Sequence, residues 1–170
     1  MENWGKVLGS WNKKEYSIYT HAFCPSISRV QHRFYQEETA IARAIGVGIQ
    51  PYKEEQFFSH SNVLGSEFMN EDYTIPFGEL YAEGMFTGPY DVYNRYVTED
   101  VPVGCRMYHE LGKQFGVPTP TIDSFITLAS IMTGNDYFSE GYTLDYVGIG
   151  GMDKQQLLDY LWNGTVEQEQ

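Results

Sequence analysis

Apolar residues recur at helical spacing along several stretches of the 170-residue chain and rarely alternate as a strand requires. The first stretch opens at Pro25 and Ser26, where Ser26 or Ser28 can accept from the first free N–H groups. Ile27, Val30, Phe34, Ile41 and Ile45 then form one face, while Arg29, Glu37, Glu38 and Arg43 fill the others. Gly46 is free to take the left-handed conformation that ends such a helix.

The second half is patterned more sharply. Thr98 is placed to cap a helix whose first turn holds Glu99, Asp100 and Pro102, and whose apolar stripe is Val103, Met107, Leu111 and Phe115. Gly116 stops it. Thr119 and Pro120 open the next helix, with Ile122, Phe125, Ile126, Ala129 and Met132 on its core face and Gly134 at its end. A last helix is predicted over residues 153–162, carrying Leu157, Leu158 and Leu161. Signals are weaker elsewhere. Residues 52–60 and 76–82 read as short helices around a polar stretch at 65–74, and residues 16–20 as a short strand or extended arm. The expectation is an all-α, multi-helix domain over residues 1–164, followed by a polar tail at 165–170.

Composition narrows the function classes. With 42% apolar residues, 14 Tyr, 10 Phe and 3 Trp, the chain is not of a disordered type. A formal charge of −12 argues against nucleic acid and against an anionic membrane surface, both of which need a basic footprint. No apolar run reaches the ~18 residues of a spanning helix. Residues 1–14 show no apolar signal-peptide core, so a cytoplasmic protein is expected. Cys24 and Cys105 then read as reduced thiols; a bridge between them has no support in the pattern.

The candidate chemistry is sparse. Gly148-Ile149-Gly150-Gly151 resembles part of a dinucleotide loop, but no buried strand precedes it and no third glycine opens a helix, so it reads as a connection between helices. His21 with Cys24 and Cys105 with His109 are pairs without the further ligands a structural zinc needs, so no metal is expected. Cys105 also lacks the electropositive, exposed setting of a nucleophile. More specific is Arg95-Tyr96-Val97-Thr98-Glu99-Asp100-Val101-Pro102, an arginine just ahead of two acids at a helix start. One account is a surface cap in which the acids favour the helix dipole and the arginine pairs with one of them. The other is a site in which Arg95 offers its planar fork to a substrate carboxylate and an acid orients a histidine. Spacing alone does not choose between them.

That segment, followed by Gly116-Val117-Pro118-Thr119-Pro120-Thr121-Ile122-Asp123, resembles the C-terminal helical domain of the octopine/nopaline (opine) dehydrogenases. Asn135-Asp136-Tyr137, Glu140-Gly141-Tyr142-Thr143-Leu144 and the earlier Cys24-Pro25-Ser26-Ile27-Ser28-Arg29-Val30 agree with it, and the similarity runs over residues 3–164. The resemblance implies a fold similar to the C-terminal domain of 6-phosphogluconate dehydrogenase. It implies an enzyme that uses NAD or NADP to condense an amino acid reductively with a 2-oxo acid. An N-terminal Rossmann domain, in cis or in trans, would bind the nucleotide. In the family pattern an arginine and an aspartate five apart serve the substrate. Carried onto this chain, Arg95 would bind the 2-oxo acid carboxylate, and Asp100 would orient a catalytic histidine that lies ahead of residue 3 in the pattern. None of His21, His32, His60 and His109 occupies that context, so this chain alone is expected to be inactive. A homodimer is the expected self-association, through an apolar face freed of its neighbour domain. Two alternatives are a non-catalytic helical dimerisation or binding module, and the helical domain of a ketopantoate-reductase-type dehydrogenase.

Overall fold

The computed structural model describes residues 12–13, 15–16, 25–57 and 88–164. The chain divides into two units, one made of Met1–His32 and Pro51–Asn94, the other of Arg33–Gln50 and Arg95–Gln170. Helix α1 (Pro25–Ile45) has Pro25 at its first position, where a missing N–H costs nothing, and contributes residues to both units. Among the described residues the secondary structure is helical, with no strand longer than a single bridging residue at Gly88.

In the first unit, α2 (Glu54–Phe57) brings the buried Phe57 against the ring of His32, centroids 5.1 Å apart. The Tyr16 carbonyl accepts from the Gly88 N–H and from the Tyr90 hydroxyl. Of the arm expected at 16–20 only Tyr16 is described. The short helix expected at 76–82 lies outside the described residues, as do residues 58–60 and the tail at 165–170.

The second unit holds the core. Its helical elements are α3 (Arg95–Thr98), a π-helical turn (Asp100–Cys105), α4 (Arg106–Phe115), α5 (Pro120–Thr133), α6 (Tyr137–Glu140) and α7 (Lys154–Asn163). Ile41 and Ile45 of α1 meet Val101, Ile122, Ile126, Ala129, Tyr137 and Leu157 in one cluster. The stripe predicted for α1 is corrected at its start, because Ile27 and Val30 are both 41% exposed and burial takes hold further along, with Ile41 and Ile45. Glu37, assigned to a polar face, is in fact buried, at 3% exposure.

The helix predicted from a Thr98 cap is also corrected. Thr98 ends α3, and the helical run passes through Glu99 and the π turn into α4. Pro102 accounts for the widened turn. It has no N–H to give to the carbonyl four residues back, and its ring crowds that carbonyl, so a regular α turn cannot form around it. The inward stripe is therefore Val97, Val101, Cys105, Tyr108, Leu111 and Phe115, and Val103 is left exposed. The carbonyl of Pro102 is taken up by the N–H of Tyr142 at 2.8 Å. This approach needs Gly141, since a Cβ there would lie 2.8 Å from that carbonyl and 2.7 Å from the Arg106 Cγ.

Pro120 opens α5 as expected, but the Thr119 side chain does not cap it. The cap comes from α1. The Glu37 carboxylate accepts from the N–H groups of Thr121 at 3.0 Å and Ile122 at 3.1 Å, with the Arg33 guanidinium 3.4 Å away. Two free N–H groups and the positive helix end thus meet a charge that would otherwise be costly to bury. Of the predicted α5 face, Ile122, Ile126 and Ala129 are buried, whereas Phe125 at 38% and Met132 at 55% are exposed. Helix α7 matches its predicted span to within a residue and starts with a capping box between Asp153 and Gln156.

Removing the Glu37 carboxylate should be the most damaging polar change in this unit. Glu37→Ala is expected to lower stability by about 2–4 kcal/mol, measured by urea unfolding. Arg33→Ala, at a side chain 57% exposed, should cost less than about 1 kcal/mol. Equal effects of the two would contradict the assignment.

Candidate active site

Arg95 and Asp100 stand at the two ends of one turn, Arg95 as the first residue of α3 and Asp100 as the first of the π turn. Both are exposed. The Arg95 guanidinium, 69% accessible, is 3.3 Å from Glu99, four residues on. A contact of this kind in water is worth under about 1 kcal/mol, so Arg95 can exchange Glu99 for another carboxylate at little cost. Its partner in the structure is thus the first of the two acids, while the charge of Asp100 is felt at Cys105.

Cys105, at the far end of the π turn, packs against the core, and burial together with the charges of Asp100 and Glu38 pushes its thiol up to about 11. Tyr108, one turn further along, sits where burial and the nearby Glu38 carboxylate of α1 raise its proton affinity. Glu38 is itself raised by burial, an effect the nearby Tyr108 partly offsets. The Tyr108 ring is held edge-on by Phe34, centroids 5.9 Å apart at 85°. Asp100 and Glu38 thus both act on Cys105, and Glu38 also acts on Tyr108; sequence reading had weighed only Asp100 and Cys105 as site residues. The signal for the others was the doubled acid Glu37-Glu38 beside an apolar stripe.

A protected thiol of this kind is the opposite of an activated nucleophile. His109 instead places its Nδ1 2.8 Å from an Asp123 carboxylate oxygen that also accepts from the Thr119 hydroxyl at 2.9 Å. With the ring of Phe138 edge-on at 5.2 Å, His109 clasps α4, α5 and α6 together. His32 lies 3.8 Å from Glu54, while His21, Cys24 and His60 lie outside the described residues. Among the described residues no group of three or more His, Cys, Asp and Glu could hold a metal ion. No helix among them is long and apolar enough to cross a membrane.

The run Gly148-Ile149-Gly150-Gly151 does not fit a nucleotide. The Gln114 amide donates to the carbonyls of Ile149 and Met152 and accepts from the Gly151 N–H at 2.9 Å, and the N–H groups of Gly148 and Ile149 are given to the carbonyls of Asp145 and Leu144, so these N–H donors are engaged within the domain.

Comparison with known proteins gives the family context. The family described as NAD/NADP octopine/nopaline dehydrogenase, alpha-helical domain, matches residues 3–133, which include Glu38, Arg95, Asp100, Cys105 and Tyr108. The chain is 29% identical over 141 residues to an opine dehydrogenase of Arthrobacter sp. (strain 1C), an alignment covering 81% of this chain and 36% of that enzyme. The chain therefore spans about a third of the length of the curated relative it matches.

The thiol gives a direct test of the site's electrostatics. In a Cys24→Ser background at pH 9, where a thiol at its ordinary value of 9.0 is half ionised, Cys105 should alkylate on the order of 50-fold more slowly than a free cysteine. Asp100→Asn should speed it up. A rate equal to that of free cysteine would mean that Cys105 is not enclosed between the two carboxylates.

Proposed function

The chain belongs to the NAD/NADP octopine/nopaline dehydrogenase alpha-helical domain family, and from that premise we propose that it is the substrate-binding half of an opine dehydrogenase. The reaction is the reductive condensation of an amino acid with a 2-oxo acid. The observation that supports this reading is that Arg95 and Asp100 are both exposed, five residues apart, with Asp100 opening the turn that Pro102 widens. In it, Arg95 releases Glu99 and takes the 2-oxo acid carboxylate on two parallel N–H bonds, which fixes the direction of the neighbouring carbonyl. Asp100 accepts the N–H of a histidine from elsewhere in the enzyme. A carboxylate behind an imidazole sets its tautomer and stabilises the imidazolium formed when it takes a proton.

The nicotinamide cofactor named by the family belongs, in this reading, to an N-terminal nucleotide-binding domain in cis or in trans, because the glycine run of this chain is occupied by Gln114. None of His21, His32, His60 and His109 fits the family's histidine pattern, so the isolated chain should turn over no substrate. A second reading is favoured by the outer face of α5, where Leu128 is 57%, Ile131 74% and Met132 55% exposed. Such a face suits association with another subunit.

In the enzyme with its nucleotide-binding domain, Arg95→Ala should raise KM for the 2-oxo acid about 10–100-fold with a smaller effect on kcat. Asp100→Asn should lower kcat on the order of 100-fold or more with folding intact. Steady-state kinetics showing wild-type constants for both variants would return the segment to a surface cap.

A further inference from the structure

Two glycines lie inside the helical run from Asp100 to Phe115, and the fold accounts for one of them. At Gly112 a Cβ would lie 2.7 Å from both the Thr119 Cγ2 and the Val117 carbonyl, so the chain leading into α5 leaves no room for a side chain. At Gly104 a Cβ would meet no atom of the described residues within 4 Å, and the backbone there is not left-handed. Neither packing nor backbone conformation calls for glycine at 104. Helix stability argues against it, since glycine loses more backbone freedom on folding than alanine does. A bare helical backbone facing open space suits the close approach of a group from outside.

Its position says which group. Gly104 belongs to the same π turn as Asp100, four residues on, a neighbouring place on the helix surface. Widened turns of this kind gather at functional sites. Val103 beside it is also turned outward, at 37% exposure. Arg95 lies on the other side of Asp100, and the helical rise from Arg95 to Gly104 is about 13 Å, more than a small 2-oxo acid held at Arg95 can span. The chain spans about a third of the length of the opine dehydrogenase it matches, which leaves ample chain to cover this turn.

We propose that the bare backbone at Gly104 is the seat of the segment that carries the histidine oriented by Asp100. The proposal rests on the reading of Asp100 as the group behind that histidine. The segment packs against Gly104 and Val103, which brings its imidazole N–H to the Asp100 carboxylate. A side chain at 104 lifts the segment by the width of a carbon atom or more. A hydrogen bond is lost over such a distance, whereas a carboxylate bound at Arg95 is not disturbed.

The experiment compares Gly104→Ala, Gly104→Leu, Gly48→Ala and Asp100→Asn by urea unfolding of the 170-residue chain and by steady-state kinetics of the enzyme with its nucleotide-binding domain. Gly104→Ala should keep or raise the urea midpoint, yet lower kcat about tenfold at unchanged KM for the 2-oxo acid. Gly104→Leu should lower kcat on the order of 100-fold. Gly48→Ala, at a glycine with equally open space around it, should leave turnover unchanged. Gly104→Leu added to Asp100→Asn should cost less than the product of the two losses, because both loosen one imidazole. Wild-type kcat in Gly104→Leu, a lowered midpoint in Gly104→Ala, or a raised KM with kcat intact overturns the proposal, while a slow Asp100→Asn leaves the functional reading standing. Wild-type turnover in Asp100→Asn overturns both.

Discussion

The Glu37 carboxylate, at 3% exposure, lies over the first turn of α5 and accepts two of its free N–H groups. Apolar packing between α1 and α5 would tolerate a slide of part of a turn, because the hydrophobic effect has no direction. Two directed bonds to a charged acceptor do not. They set the register in which Ile41 and Ile45 meet Ile122, Ile126 and Ala129, and the same carboxylate offsets the positive end of α5.

Everything beside that bond on α1 inherits its placement. Phe34, one turn earlier, lies edge-on to both Tyr108 and Phe125, with centroids 5.9 and 5.7 Å away. Helix α4 is thereby fixed at its start, with His109 and Asp123 tying it to α5 further along. The proline-forced turn ahead of it is held from outside by the Tyr142 N–H. Its exposed start holds Asp100 at the head of a helical run that packs on the core.

Much of this was legible in the sequence, for reasons that differ between elements. Helices α5 and α7 announce themselves because Pro120, Asp153, Gly134 and Gly164 each have a local mechanism for starting or stopping a helix. The α3–α4 run was misread at its start, because Thr98, two acids and Pro102 together imitate a helix N-terminus. Only the tertiary fit of Val97 and Val101 shows that the helix has already begun. Glu37 was misplaced because periodicity treats every acid as solvent-facing, whereas positions 34, 37, 41 and 45 form one stripe and its charge is met by a helix end 84 residues away. The joint influence of Asp100 and Glu38 on Cys105 was invisible for the same reason. Nothing local says that Glu38 lies near Tyr108. The arginine–aspartate spacing could be read only through likeness to a family, and the match over residues 3–133 bears out that family.

The most direct measurement is nicotinamide oxidation by the enzyme that contains this domain, followed with NADH and NADPH across pairs of amino acids and 2-oxo acids. The account predicts oxidation that requires both substrates together and yields a secondary amine joining their carbon skeletons. Oxidation with an oxo acid alone, or turnover confined to a hydroxy-acid substrate of the ketopantoate or phosphogluconate kind, would contradict it.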